Sequence, residues 1–202
     1  MNLLKPKPLS RGIFHLLACL FFPALALFTP IPMTLILISL GMITIIFVSL
    51  DLLRFRFPRL AGWAFRNFSI FLRSTEKSKL TGASYLLIAS LISFLVFPRD
   101  ITIMSLFFLG IGDSLASIIG STIGRRKIFT TKTLEGTLAC FAGCVIAGLV
   151  LLHFGNSIRL TVVIVGSIVA TLVELLPLRI NDNLLIPLCA GTVMFAIQSI
   201  IV

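Results

Sequence analysis

The chain has 202 residues, is 58% hydrophobic and 12% charged, and carries a net charge of +10 from 17 Lys and Arg against seven Asp and Glu. Apolar runs of about 17–23 residues recur along its whole length, which excludes a soluble globular domain and fits a chain that crosses a bilayer several times as helices. The cations are spread among short connections with no separate folded module and no interleaved stacking aromatics, which argues against nucleic acid and for anionic lipid headgroups and a phosphate-bearing ligand.

The sequence predicts an all-α polytopic membrane protein with one domain over residues 1–202 and seven spans, near 12–29, 31–53, 82–98, 101–121, 133–153, 158–178 and 184–202. Ala24-Leu25-Ala26 imitates a signal-peptidase site, but six further spans argue for a retained first helix. Lys and Arg are held back on the cytoplasmic side of a membrane. With the N-terminus cytoplasmic, 15 of the 17 cations fall on that side and only Arg99 and Arg159 on the other. The same orientation puts Asp51, Glu76, Glu135, Glu174 and Asp182 at cytoplasmic helix ends or loops and leaves Asp100 outside.

In the first span Arg11 and His15 stand one turn apart on a common face. Arg11 can snorkel to the headgroups, and His15 is either a packing residue or a partner for a phosphate or a hydroxyl. The longest connection, residues 54–81, mixes aromatic and basic residues in the manner of a helix lying in the headgroup plane, or of a basic loop that only fixes topology. Glu76, Lys77 and Lys79 then precede Gly82 at a predicted helix N-terminus, an end that attracts an anion.

The fourth span contains Asp113, about 18 Å from the outer edge of a roughly 30 Å core at 1.5 Å per residue. A carboxylate at that depth costs about 2.5–3.5 kcal/mol on insertion scales, so it needs a cation, a metal or a wet cavity. Helical spacing puts Ser117 and either Gly120 or Ser121 on its face, and Gly112, Ala116, Gly120 and Gly124 form a small-residue stripe for close helix packing. The loop 122–132 follows, with Arg125, Arg126, Lys127 and Lys132 beside threonine hydroxyls. Guanidinium forks, ammonium groups and hydroxyls suit a polyphosphate, although any cytoplasmic loop is expected to be basic.

Glu135 opens the fifth span, where it is either a ligand or a plain complement to the helix dipole. Gly136, Cys140, Cys144 and Gly148 repeat every four residues, a second small stripe expected to face the Asp113 helix. Glu174 near the end of the sixth span shares a face with Thr171 and Ser167, and Asn181-Asp182-Asn183 opens the seventh as a helix cap or as ligands. Cys19, Cys140, Cys144 and Cys189 lie in apolar helices and show no metal or disulfide spacing.

Taken in order, Arg11-Gly12-Ile13-Phe14-His15, Glu76-Lys77-Ser78-Lys79-Leu80-Thr81-Gly82, Gly112-Asp113-Ser114-Leu115-Ala116-Ser117, Gly124-Arg125-Arg126-Lys127-Ile128, Lys132-Thr133-Leu134-Glu135-Gly136-Thr137, Glu174 and Asp182-Asn183-Leu184-Leu185-Ile186-Pro187 resemble the motifs of the dolichol kinase, phytol kinase and CTP-dependent diacylglycerol kinase family, over residues 11 to about 190. The chain is also distantly similar to phosphatidate cytidylyltransferases, but lacks their C-terminal signature of Lys-Arg and paired Asp around glycines.

The resemblance implies transfer of the γ-phosphoryl group of a nucleotide, commonly CTP, to the hydroxyl of a membrane lipid alcohol, with Mg²⁺ or another divalent cation as cofactor. Asp113, Glu135 and Asp182 are then the candidate catalytic acids, Asp113 and Glu135 the candidate metal ligands, and Arg125, Arg126, Lys127, Lys132, Lys79 and Asn183 the candidate nucleotide and phosphate ligands. Arg11, His15, Glu76, Ser117 and Glu174 are the supporting residues. Two other readings are transfer of a cytidylyl group to give a CDP-lipid, and a cation- or proton-coupled transporter. A transporter would call for acids at both faces or a repeated half, and neither is visible.

Overall fold

A computed structural model describes residues 8–57, 79–129, 132–178 and 180–201, with the side chains of 8–12 and 14 outside that description. The described residues form helices α1 (Pro8–Phe28), α2 (Met33–Arg56), α3 (Gly82–Val96), α4 (Arg99–Phe107), a π-helical segment (Phe108–Asp113), α5 (Ser114–Thr122), α6 (Leu134–His153), α7 (Leu160–Leu175) and α8 (Asp182–Ile201). An isolated antiparallel bridge joins Lys127 to Thr133. Among the described residues four helices are long and apolar enough to cross a membrane: Met33–Arg56, the continuous rod Arg99–Thr122, Leu134–His153 and Asp182–Ile201. His15–Phe28, Gly82–Val96 and Leu160–Leu175 are shorter apolar helices that coincide with the other three expected spans. The interfacial helix expected within 54–81 falls on residues 58–78, outside the described residues.

Three helix starts follow from local chemistry. The hydroxyls of Thr81 and Thr133 accept from the amides of Ser84 and Gly136, each at 3.2 Å, and so open α3 and α6. At α8 the capping side chain is Asn181, whose Oδ1 accepts from Asn183 N at 2.9 Å. That leaves the side chains of Asp182 and Asn183 available for contacts beyond their own helix.

The rod of α4, the π segment and α5 is the axis of the assembly. Ile101 through Leu106, Phe108 and Leu109 are buried, and α1, α6, α7 and α8 pack around them. Hydrocarbon tails are as apolar as leucine, so close backbone approach rather than burial from water must hold such rods together. The two small-residue stripes supply that approach. A Cβ added at Gly112 would stand 2.7 Å from Cys144 Sγ and 3.1 Å from Cys140 Sγ, and one at Gly136 would stand 2.8 Å from the Ala116 carbonyl oxygen. The stripe of α6 therefore faces the Asp113 rod, and its last member, Gly148, is wedged between Met104 of that rod and Val163 of α7.

The rod is not regular, as the sequence expectation assumed. Between Phe108 and Asp113 it widens into a π turn, a form that inserts one extra residue and recurs near functional positions. It is pressed there from two sides: Gly110 lies against α1, where an added Cβ would meet Cys19 Cβ at 2.9 Å, and Gly112 lies against α6.

Candidate active site

Antiparallel packing brings the starts of α1, α3, α6 and α8 and the ends of α2, α5 and α7 to one end of the bundle. Most of the titratable side chains among the described residues collect there, in two clusters. The opposite end carries Arg99 on the Ala26 carbonyl and Asp100 accepting from Ser157 N at 3.0 Å.

The first cluster is built on Asp113, the last residue of the π turn, whose side chain is 26% exposed. Its Oδ2 faces Nδ1 of His15 at 3.6 Å, and Nε2 of His15 lies 3.0 Å from Asn183 Oδ1. Asn183 Nδ2 donates to the Gly82 carbonyl at 2.8 Å, so this string ties α1, the π turn, α8 and the start of α3 together. Beside it, the ammonium of Lys132 is bonded to Glu174 and lies 3.6 Å from Asp182 Oδ2. Glu174 is the buried member, with its side chain 4% exposed against 24% for Lys132 and 33% for Asp182. Burial works against the charge on Lys132. The hydrogen bond and charge of Glu174, with Asp182 and Asp113 behind it, outweigh that and hold the ammonium above the ordinary lysine value. Asp113, Glu174, Asp182 and Lys132 thus form one electrostatic unit, three acids around one base.

The basic loop lies directly after α5. Gly124 is fitted so closely that an added Cβ would come within 2.7 Å of both Thr133 Oγ1 and Cγ2, and Leu134 N closes the loop on the Arg126 carbonyl at 2.8 Å. Arg125, Arg126 and Lys127 are exposed. Glu135 accepts from the Arg126 amide with both carboxylate oxygens at 3.3 Å. It holds the loop, whereas Asp113 faces His15 across 3.6 Å.

The expected metal ligands Asp113 and Glu135 are therefore turned to different partners. Among the described residues no group of three or more His, Cys, Asp or Glu is placed to hold a metal ion, and the cation set among the acids is Lys132 itself. This donor set does not fit a resident metal centre.

Other expected residues are more remote. Ser117 is exposed, and Ser167 and Thr171 bond back to Val163 O and Ser167 O, at 2.8 and 2.7 Å, rather than supporting Glu174. Ser114, next to Asp113, is buried and its hydroxyl has no hydrogen-bond partner. Arg11 lies on α1 with its side chain outside the described residues, and Glu76 falls outside them altogether.

The second cluster was not anticipated. Asp51, 5% exposed, pairs through Oδ1 with Arg54 Nε at 2.7 Å. Its Oδ2 accepts from Thr81 N and Ser84 Oγ, each at 2.7 Å, while Arg54 also donates to the Lys79 carbonyl. The anion expected at the start of α3 is thus the chain's own Asp51, with Lys79 exposed beside it. The signal in the sequence was an Asp and an Arg three residues apart at a helix end, which is also what an ordinary surface pair looks like.

No protein-family model matches the chain, and no solved structure matches it. It is 33% identical over 194 residues to an uncharacterized protein of Rickettsia prowazekii, covering 92% of this chain and 93% of that one. It is 48% identical over 90 residues to the dolichol kinase of Saccharomyces cerevisiae, covering 42% of this chain and 17% of that protein. To the CTP-dependent diacylglycerol kinase of the same yeast it is 31% identical over 99 residues, 48% of this chain and 34% of that one. The chain thus spans 17% and 34% of the two named kinases. Motifs, helices and the curated relatives together support membership of the polyprenol kinase family, whose named members here are lipid kinases, at modest identity.

Proposed function

We propose that this chain transfers the γ-phosphoryl group of a nucleoside triphosphate, CTP, to the hydroxyl of a membrane lipid alcohol such as a polyprenol, a phytol-like alcohol or diacylglycerol. The observation that carries the reading is the convergence of Asp113, Glu174, Asp182 and Lys132 beside the exposed Arg125, Arg126 and Lys127. CTP as donor is supported by the name of the yeast diacylglycerol kinase, and the cytoplasmic placing of this end by the distribution of Lys and Arg.

Phosphoryl transfer needs positioning and charge neutralisation more than covalent help. In this reading Arg125, Arg126 and Lys127 bind the triphosphate, with Glu135 fixing the loop that carries them. Lys132 brings a positive charge to the edge of the acid cluster, held in place by buried Glu174. Asp113 takes the proton of the acceptor alcohol, whose tail stays in hydrocarbon while its hydroxyl enters between helices. Asp182 and Asn183 border the same space, and anionic headgroups gather at the remaining cations. Among the described residues no three acids or histidines are grouped as metal ligands, so no step is assigned to a metal here; a divalent ion would arrive on the triphosphate.

The test is purified protein with CTP or ATP labelled on the γ-phosphate and a panel of lipid alcohols. Labelled lipid phosphate is the expected product. Label retained in pyrophosphate together with a CDP-lipid would replace this reading with cytidylyl transfer.

A further inference from the structure

The hydrogen bonds of Asn183 decide which atoms of His15 carry hydrogen. Nδ2 of Asn183 donates to the Gly82 carbonyl, which only accepts, so the amide oxygen is the atom turned to His15 Nε2. An amide oxygen also only accepts. Nε2 therefore bears a hydrogen, and in the neutral form of the ring Nδ1 presents a lone pair. That lone pair faces Asp113 Oδ2, another acceptor, at 3.6 Å, which is too long for a hydrogen bond between them. Two acceptors thus converge on a space that a single O–H donor can satisfy. Their side chains are 22% and 26% exposed, while Cys19, buried one turn further along α1, lies under the ring with Sγ 3.5 Å from Nε2 and 3.8 Å from Nδ1, a weak thiol donor that a hydroxyl displaces.

We propose that this gap is the docking point of the acceptor hydroxyl, with His15 Nδ1 and Asp113 Oδ2 as its two contacts and Asn183 as the positioning residue that fixes the tautomer of the ring. The proposal rests on the lipid-kinase reading and deepens it, since a pair of acceptors selects a neutral alcohol and repels the phosphorylated product. In the transfer the alcohol oxygen forms a bond to the γ-phosphorus and the bond from that phosphorus to the bridging oxygen breaks, its electron pair leaving with the nucleoside diphosphate. The hydroxyl proton stays on the His15–Asp113 pair, then passes to solvent.

The chain has two histidines, so His153→Gln leaves His15 as the sole signal in nitrogen-15 histidine spectra of detergent-solubilised protein. The expected spectrum at neutral pH has hydrogen on Nε2 and none on Nδ1, and Asn183→Leu loses that preference. A C15 isoprenoid alcohol shifts Nδ1 as a hydrogen bond forms, and its acetate ester does not. Hydrogen on Nδ1 in the resting protein, or an Nδ1 that ignores the alcohol, overturns the proposal. In turnover, His15→Gln keeps a donor for Asn183 but offers no acceptor at the Nδ1 position, so the specificity constant for the alcohol falls at least tenfold while KM for the nucleotide stays unchanged. An equal loss for both substrates would mark a purely structural role. Failure of every alcohol to become phosphorylated would defeat the kinase reading alone, because the response of Nδ1 to alcohol is read without turnover.

Discussion

Lys132 in the loop before α6 closes its ammonium on the carboxylate of Glu174, 42 residues further along the chain and 4% exposed. Removing one member of a buried pair strands the other. Lys132→Met is therefore expected to cost about 3 kcal/mol. Lys132→Met/Glu174→Leu, which removes both charges, should recover most of that in thermal unfolding in detergent. The folded value of Lys132 lies above the ordinary 10.5, so the stabilisation it contributes is complete below that pH and is lost as pH rises through the raised value. The melting difference between wild type and Lys132→Met should stay flat from neutral pH to about 10 and shrink only beyond.

Asp113→Asn keeps the shape of the side chain and removes its basicity. Loss of a positioned proton acceptor typically costs 10²–10⁴-fold in rate, so turnover should fall by roughly that range with the melting temperature nearly unchanged. Wild-type turnover in this variant would remove Asp113 from the chemistry.

Arg125→Ala and Arg126→Ala act on exposed side chains, so the fold should not register them. Each is expected to raise KM for the nucleotide roughly tenfold or more, the scale of one charge-assisted hydrogen bond, with KM for the lipid unaffected. Equal effects on both substrates would place the loop elsewhere in the cycle.

Gly112→Ala tests the contact between the π turn and α6. The new methyl meets Cys144 Sγ at 2.7 Å, and such overpacking typically costs about 1–3 kcal/mol. Adding Cys144→Ala clears the nearer sulfur and should restore most of the stability. Failure of that rescue would mean that Gly112 is needed for the π backbone itself.

Asp51→Ala leaves Arg54 buried and the start of α3 without its acceptor, and should be among the most damaging single changes in the bundle, about 3–5 kcal/mol. Asp51→Ala/Arg54→Leu should be milder than Asp51→Ala alone, as judged by unfolding yield in detergent.

Sequence revealed those parts of the architecture that are written locally. The cap at Asn181-Asp182-Asn183 was legible because a cap needs only the next few residues, whereas the caps at Thr81 and Thr133 emerged only from the structure. The facing of Gly112 against Cys140 and Cys144 was readable because two stripes of period four, on helices joined by a short loop, have few ways to meet. The acid cluster was legible as a set of embedded carboxylates, but not its pairing. Nothing local separates Lys132, bonded to Glu174, from Arg125, which is exposed earlier in the same loop. Asp51 was passed over because its partners at Thr81 and Ser84 lie 30 and 33 residues away. Regular helical geometry does hold from Asp113 to Ser117, since the π turn lies before Asp113, but spacing alone did not show that this stretch of α5 leaves Ser117 exposed.

That turn also makes the central rod sensitive to counting. A π turn carries one residue more than the α turn it replaces, so the stretch after Asp113 runs one step out of phase with the stretch before Phe108. Relaxing Phe108–Asp113 into uninterrupted α-helix with no residue removed would rotate everything downstream by about 100°. Asp113 would swing away from His15, and Gly120 from Gly136, with every side chain of α5 still present. The polar end of this bundle thus depends on an odd residue in its middle as much as on the identity of its acids.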